Sequence, residues 1–487
     1  MRSGRPLLRP LLAAPLAAAL LSGCMVGPRY VKPTAPVAPE FKEAKPASGE
    51  DAAWRSAQPS DQLPKGDWWK VFRDPDLDAL EPQILTGNQN IRIADANLQR
   101  ARAQIRVNRA ALFPTLGASP FAGAERVSAN RPYFNSASAN NGVADLQLPL
   151  DVSWEIDLFG RIRRGVNIAR QDAQSSAADL QNVLLSLEAE LAVDYFELRA
   201  ADAEKKLLND TVAQYQEAFR VTNNRFEGGV AAKSDVSQAQ TQLQAARVQA
   251  ADVDIRRAQY EHAIAVLIGR PPSAFNLPLL PLGAQPPVIP PGLPSDLLER
   301  RPDIASAERR VAAANQQIGI ARAAFFPSLA LSGLVGLEST SAANLLNRSS
   351  FVYSLGPTLG QTFFDSGRRA AISEQAYATY NSETALYRQT TLAAYQQVED
   401  NLAVLRILAE EAEQQRQATA AAQEAQQIFN NRYVGGVDTY LQVITAQTAA
   451  LTNERNDIDI MRRRMDASVL LIKALGGGWN VAQLPKF

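Results

Sequence analysis

Apolar residues occupy every second position from 146 to 158, and three carboxylates, Gln147, Pro149 and Ser153 lie between them, with a fourth carboxylate at 145. A period of two over this length predicts a β-strand with one apolar and one polar face. Weaker alternation predicts three more strands at 115–124, 328–338 and 351–363. The carboxylates of the polar face are Asp145, Asp151, Glu155 and Asp157.

These acids allow two interpretations. Paired carboxylates carry out glycoside hydrolysis in many enzymes, but here they share one strand face and no pocket is indicated. We therefore interpret them as an acidic patch facing the lumen of a channel.

Two segments without proline, 161–225 and 368–432, predict very long helices. Leucines in the first recur at spacings of three, four and seven residues, which marks one helical face. About 65 residues at 1.5 Å each span roughly 100 Å, so these helices must pack side by side in coiled-coil-like pairs. Returning helices are predicted at 233–268 and 438–475. These two helices are rich in Ala, Gln and Arg. Such a composition fits a helix with a solvated face, and it also fits a helix that packs closely through alanine on one side and lines a water-filled lumen on the other.

The chain is a tandem duplication. RFEGGV at 225–230 recurs as RYVGGV at 432–437, and ALFPTL at 111–116 recurs as AFFPSL at 324–329. Each repeat consists of a helix, two strands, a long helix, a Gly-Gly turn and a long helix. We place the first repeat at 67–269, a Pro-rich linker at 270–294, the second repeat at 295–476 and a tail at 477–487. Glycine adopts the left-handed conformation that ends helices, so each Gly-Gly pair predicts a hairpin tip.

The N-terminus has the pattern of a secretory signal. Arginines at 2, 5 and 9 precede a short apolar run that ends in Leu21-Ser22-Gly23-Cys24. This end resembles a bacterial lipobox, so we predict a signal peptide at 1–23 and a lipid on Cys24. Acyl chains add about 0.8 kcal/mol of membrane affinity per buried CH2. Residues 24–66 are Pro-rich and polar, which predicts an extended tether.

Composition excludes several classes of function. Fifty basic and 50 acidic residues give a net charge of zero, unlike most nucleic-acid-binding proteins. One His and one Cys exclude a His/Cys zinc site, a disulfide framework and a Cys-His catalytic pair. The segment GGVAAKS at 228–234 lacks the glycine that a phosphate-binding loop has before its lysine. We expect no enzyme activity and no cofactor other than the lipid.

Four strands cannot close a barrel, because the smallest membrane barrels have about eight. An open edge in lipid leaves backbone groups unpaired at several kcal/mol each. Three chains would supply twelve strands, with Ser- and Asn-rich loops at 126–142 and 339–349 outside. The alternative is a small soluble sheet in each repeat.

The motifs resemble those of the TolC-like outer-membrane efflux factors, in the lipoprotein branch often called the NodT family. The similar segments are WWKVF at 68–72, WEIDLFGR at 154–161, ERRPDI at 299–304, AAFFP at 323–327 and ALGGGW at 474–479. The resemblance implies a mostly α-helical chain with a membrane β-barrel. A homotrimer would form a twelve-stranded β-barrel and a periplasmic α-barrel of helical hairpins.

The resemblance also implies partners and a gate. The tips would meet a periplasmic adaptor, which serves an inner-membrane pump while the channel itself stays passive. Leu441 matches an apolar gate position, and Thr445 stands where some relatives carry an aspartate. Asp438 is the nearest carboxylate to that gate. The tip residues are Gly228, Gly229, Val230, Gly435, Gly436 and Val437.

The leading hypothesis is therefore an outer-membrane channel that conducts drugs or other small toxic compounds to the cell exterior. A tunnel for peptide or protein secretion would use the same tube, and the sequence does not separate the two. A lipid-anchored periplasmic coiled-coil spacer without a pore is the third hypothesis.

Overall fold

A computed structural model describes residues 25–44, 66–126, 128, 130, 142–283, 285–289 and 294–487. Long helices dominate it, and the strands form a single sheet. The helices and strands in chain order are α1 (Pro75–Gly87), α2 (Gln89–Ala110), β1 (Thr115–Ala118), β2 (Phe121–Glu125), β3 (Val143–Ile156), α3 (Arg161–Glu227), α4 (Lys233–Leu267), α5 (Leu297–Arg300), α6 (Pro302–Ala323), β4 (Ser328–Ser339), β5 (Phe351–Gly360), α7 (Arg368–Val434) and α8 (Tyr440–Ala474).

The two long helices, α3 and α7, have 67 residues each and therefore span about 100 Å. A glycine in the left-handed conformation precedes each of them, with φ of +84° at Gly160 and +83° at Gly367. An aspartate then accepts a first-turn N–H: Asp157 from Arg163 at 2.9 Å, and Asp365 from Arg369 at 3.2 Å. The observed helices begin where the sequence predicts and extend two residues further.

The sheet joins both repeats. Its antiparallel order is β1 and β2 beside β3, then β4, then β5. The pairing of β3 with β4 crosses the repeat boundary, so the alternative of a separate small sheet in each repeat is wrong. The hydrophobic faces of two strands per repeat are too small to form independent sheets, and they combine instead.

The first predicted strand, 115–124, is divided into β1 and β2. Ala118 lies opposite Leu150 and Phe121 lies opposite Gln147, so the register continues unchanged across the gap. Pro120 lies in that gap, and proline has no N–H to donate to a ladder. The break is therefore a local loss of hydrogen bonding and inserts no residue.

The two faces of the sheet differ as the alternation predicts. In an antiparallel pair, opposite residues share a face, and Leu150 lies opposite Val335, which lies opposite Tyr353. These three side chains are 55%, 38% and 74% exposed. On the other face Asp151 lies opposite Leu334, which lies opposite Ser354. The single chain thus presents an apolar sheet face that it does not cover.

The helices form a layer in which α3 packs on α2, α4 and α6, while α7 packs on α6 and α8. The main core lies near the middle of the long helices. Two of its fully buried side chains, Tyr195 and Phe196, belong to α3, and Tyr387 belongs to α7. Trp68 and Phe72 belong to a 3-10 turn that precedes α1, and their rings pack against this core. Beyond this core, the helices of the hairpins pack through smaller clusters that contain several alanines.

The N-terminal segment, residues 25–44, is extended as predicted but also packs closely on the helices. Val26 donates to the Phe159 carbonyl at 3.2 Å, and the Tyr30 hydroxyl donates to Glu308. The backbone N–H of Lys42 donates to Glu399 at 2.8 Å. The segment thus follows α6 and α7 away from the sheet and does not behave as a free tether.

Candidate functional site: hairpin tips, sheet face and N-terminal segment

The tips of both hairpins have the same backbone structure. Gly229 and Gly436 each have φ of +75°, and the N–H groups of Val230 and Val437 close back to Arg225 and Arg432 at 2.8 and 2.9 Å. This is the Schellman pattern that ends a helix at glycine. Gly228 and Gly435 donate to the preceding helical carbonyls and complete each turn. Each tip therefore projects one valine, and both valines are 70% exposed.

Arg225 joins the two tips. Its Nη1 donates to the carbonyls of Tyr433 and Val434 at 2.9 and 3.1 Å, and its guanidinium lies 4.8 Å from the centre of the Tyr433 ring. The Tyr433 and Tyr440 rings lie 5.2 Å apart beneath this contact. The positive charge of Arg225 thus lies beside the C-terminal carbonyls of α7, where the helix dipole favours a cation.

The equivalent arginine of the second repeat acts within its own hairpin. Arg432 Nε lies 2.5 Å from Asp438 Oδ2. The position equivalent to Asp438 in the first repeat is Ala231, so Arg225 has no such local carboxylate. One substitution between the repeats therefore accounts for the bond between the tips.

The predicted gate residues lie on one side of α8. Leu441 is 58% exposed, and Thr445, one turn later, is also exposed. The Thr445 hydroxyl donates to the Leu441 carbonyl at 3.0 Å. Asp438 is half-buried by its pairing with Arg432, so its carboxylate is not free beside Leu441. The structure thus places an apolar and a neutral side chain on the exposed face, while the role of these residues as a gate stays a prediction.

The two hairpins meet along a polar seam between α3 and α8. Arg455 donates to Glu204 at 2.6 and 2.9 Å, and Arg256 of α4 donates to the same carboxylate at 2.5 Å. Two turns along, Arg462 pairs with Glu197. These side chains line a polar cavity of about 280 Å³. Charge pairs therefore join the hairpins here, next to an apolar cluster against which Leu451 of α8 packs.

One buried acid of this seam has a perturbed pKa. Burial raises the pKa of Asp466 to about 7, and the neighbouring Glu197 carboxylate raises it as well, while Arg462 opposes both. On α3, burial raises the pKa of Asp194 to about 7, with Glu190 and Glu197 acting in the same direction. These groups belong to the helical body, away from the tips.

The four predicted acids of β3 and its exit share the polar side of the sheet, but their partners differ. Asp145 accepts from Gln147 at 2.8 Å, and Asp151 accepts from Ser119 at 2.9 Å. Arg161 makes a bidentate pair with Glu155 at 2.6 and 2.9 Å. The fourth acid, Asp157, pairs with Arg163. The acids nearest α3 are thus charge-balanced, whereas those further along β3 accept hydrogen bonds from neutral side chains.

The predicted lipidation residue, Cys24, lies outside the described residues. Its neighbour Met25 packs against Gly160, where an added Cβ would lie 2.8 Å from Met25 Cγ and 3.2 Å from Met25 Cα. Gly160 connects β3 to α3. The described N-terminal segment therefore starts at the junction between the sheet and the helices.

Sequence reasoning did not identify Arg225, the α3–α8 seam or the docking of residues 25–44. The sequence does contain a signal for the seam. Glu197 and Glu204 on α3 are seven residues apart, and so are Arg455 and Arg462 on α8. Among the described helices, none is both long and apolar enough to cross a bilayer. The described residues also hold no group of three or more His, Cys, Asp or Glu side chains suited to a metal ion.

The family model of the outer membrane efflux protein matches residues 80–270 and 293–477. The chain belongs to the outer membrane efflux protein family. The two matched segments fall on the two repeats, so the duplication is a property of the family's fold. This outer membrane efflux protein is a transport component and not an enzyme.

Individual relatives match almost end to end. The antibiotic efflux pump outer membrane protein ArpC of Pseudomonas putida is 33% identical over 474 residues, which is 97% of this chain and 96% of the relative. The toluene efflux pump outer membrane protein TtgC of Pseudomonas putida has the same identity and coverage. The solved outer-membrane channel OprN is 29% identical, with a TM-score of 0.83 over 94% of this chain and 100% of OprN.

Proposed function

We propose that this efflux protein is a passive outer-membrane channel that conducts small toxic compounds from an inner-membrane pump to the cell exterior. A homotrimer would form it, with a twelve-stranded β-barrel above a periplasmic α-barrel. The observation that carries the proposal is the sheet: its apolar face is exposed, and its opposite face is polar. This distribution suits lipid on one side and water on the other.

The sheet edges support a trimer. In the described part of the chain, β1 and β2 pair only with β3, and β5 pairs only with β4. A strand edge in lipid costs several kcal/mol for each unpaired backbone group. If β5 of one chain pairs with β1 and β2 of the next, three copies remove every edge.

The tips support docking to a periplasmic adaptor. They lie about 100 Å from the sheet, and each presents an exposed valine on a rigid glycine turn. We assign adaptor contact to Gly228, Gly229 and Val230 and to Gly435, Gly436 and Val437. Leu441 and Thr445, with the paired Asp438, form the constriction beside the tips.

The junction at Gly160 supports lipidation of Cys24. Met25, the residue that follows Cys24 in the sequence, packs there. That junction is where the apolar sheet face ends, so acyl chains on Cys24 would lie beside the lipid that surrounds the barrel. The lipid would be the only covalent group.

The relatives support small toxic cargo, since one is named for antibiotics and another for toluene. We assign that cargo class to this channel. The acids Asp145, Asp151, Glu155 and Asp157 line the lumen side of the sheet. Asp145 and Asp151, whose partners are neutral side chains, would favour cations over anions there.

The test measures mass and export together. Protein extracted from outer membranes should have a native mass near three chains after subtraction of detergent. A strain without redundant channels and without this gene should accumulate a fluorescent dye or toluene, and the intact gene should restore export. A stable monomer would refute the shared barrel, and unchanged accumulation across a broad panel would refute the export function.

A further inference from the structure

Three exposed arginines lie where the helices meet the sheet. Arg106 and Arg109 belong to the last turns of α2, and Arg322 belongs to the last turn of α6. We call these three residues the arginine collar. Arg109 and Arg322 occupy equivalent positions in the two repeats, since they precede the similar segments ALFP and AFFP at the same distance.

The collar differs from three neighbouring arginines at the start of the long helices. Arg161, Arg163 and Arg369 each pair with an acid, namely Glu155, Asp157 and Asp365 in turn. Among the described residues, no carboxylate lies within ion-pair distance of a collar arginine. The Arg322 guanidinium lies 5.5 Å from the centre of the Tyr377 ring. The collar therefore carries positive charge that the described chain does not neutralise.

The collar lies on the side of the helices that carries the terminal segments. Arg322 lies about four turns after Glu308 and hence on nearly the same side of α6, and Glu308 accepts from Tyr30 of the N-terminal segment. Arg109 lies about two turns after Arg102, whose guanidinium is 5.2 Å from the Phe487 ring.

The two terminal segments lie on one continuous surface. Arg309 pairs with Glu308 and donates to Gln174 at 3.2 Å, and Gln174 donates to the Pro485 carbonyl at 3.2 Å. Gly27 packs against Gly319, about one turn before Arg322, so the N-terminal segment begins beside the end of α6 that carries this collar arginine. On the proposed arrangement, this surface is the outer surface of the channel.

Apolar side chains adjoin the collar toward the sheet. Phe113, Phe325 and Phe326 follow α2 and α6 directly and are 42–60% exposed. The indole of Trp154, on the apolar face of β3, donates to the Leu112 carbonyl at 3.0 Å. The end of α2 is thereby held at the apolar face. An exposed aromatic belt next to exposed cations is typical of a membrane–water interface.

We propose that the arginine collar binds the phosphate groups of anionic phospholipids in the leaflet that faces the periplasm. This inference rests on the proposed membrane orientation. A guanidinium forms paired hydrogen bonds with phosphate oxygens, and the aromatic belt positions the acyl chains just beyond. The collar would fix the depth of the barrel in the membrane and retain lipid around the trimer.

The test uses the full-length trimer in nanodiscs of phosphatidylglycerol and phosphatidylcholine in equal amounts. Lipids that remain bound after transfer to detergent are counted by native mass spectrometry. The wild type should retain phosphatidylglycerol preferentially. Each arginine near an anionic surface is worth about 1 kcal/mol, which is about a fivefold preference. The triple variant Arg106→Gln, Arg109→Gln and Arg322→Gln should lose most of that preference.

Two further variants make the result specific. A matched control replaces three exposed arginines of the hairpins, Arg220→Gln, Arg247→Gln and Arg416→Gln, and removes the same charge far from the sheet. It should keep the wild-type lipid ratio. Lysine at the three collar positions should restore most of the preference, since the charge is retained.

Equal lipid ratios in the collar variant and the hairpin control would overturn the proposal. So would equal retention of phosphatidylcholine and phosphatidylglycerol by the wild type. Failure of the channel function itself has a different signature: protein that does not form a trimer or does not enter nanodiscs overturns both proposals. A trimer that inserts but lacks lipid preference overturns the collar alone.

Discussion

Replacing Leu150 with arginine places a charge on the apolar face of the sheet near the middle of β3. Leu150 is 55% exposed there, and its cross-strand neighbours on that face are Ala118 and Val335. No carboxylate shares this row of the face among the described strands. If the face contacts lipid, an arginine near the midplane costs about 2–4 kcal/mol per chain.

A trimer carries the change three times, so the cost rises to about 6–12 kcal/mol. That is comparable with the whole stability of a typical folded protein, about 5–15 kcal/mol. We therefore expect Leu150→Arg to abolish trimer in the outer membrane. The assay is the native mass and yield of extracted protein, together with urea titration of folding into lipid vesicles.

The matched control is Ser354→Arg. Ser354 is exposed and adjoins Tyr353, so it lies at the height of Leu150 on the opposite, polar face. Its row on that face includes Asp151, which can receive an arginine in water. The control should assemble normally. Equal trimer yields from the two variants would refute the assignment of the faces.

Three further predictions concern the tips and the buried acids. Gly436→Val places a β-branched residue at a φ of +75°, which costs about 1–2 kcal/mol. This variant should still form the trimer but bind the adaptor more weakly. Unchanged adaptor affinity would show that this tip does not contact the adaptor. Arg225→Gln loses the bonds to Tyr433 and Val434, about 2–3 kcal/mol, so single-channel conductance in planar bilayers should rise, whereas Arg220→Gln should leave it unchanged. Burial raises the pKa of Glu81 well above its usual 4.5, so the folded state keeps a proton that the unfolded chain loses, and stability should fall as pH rises above about 4.5. Glu81→Gln should reduce that fall, because glutamine has no proton to lose, and identical melting-temperature profiles of the variant and the wild type from pH 5 to 8 would contradict the raised pKa.

Local patterns predicted the long helices because their determinants are local. Segments 161–225 and 368–432 lack proline, and glycines at 228–229 and 435–436 supply the left-handed residue that ends a helix. The alternation in β3 predicted its faces for the same reason. The pairing of β3 with β4 could not be inferred from either strand, because it depends on apolar area contributed by both repeats.

The hairpin turns were predicted in position, but the contact between them was not. The recurring motif located both Gly-Gly turns. The two repeats differ at one informative position, where the first repeat has Ala231 and the second has Asp438. Arg225 therefore lacks a local carboxylate and binds the other hairpin. Likewise, the prolines of the N-terminal segment predicted its extended backbone but not its contacts. Lys42 of this segment binds Glu399, which lies 357 residues further along the chain.

That separation has a consequence for the order of folding. The N-terminal segment is synthesised first, but Glu43 pairs with Arg406 across 363 residues, and Lys42 needs Glu399 of the same helix. Contacts this distant in sequence form late, after the loops between them have closed. A lipid on Cys24 would therefore hold the nascent chain at a membrane surface throughout its folding. The segment would settle against α6 and α7 only when the second repeat is complete, so its docking marks the end of monomer folding.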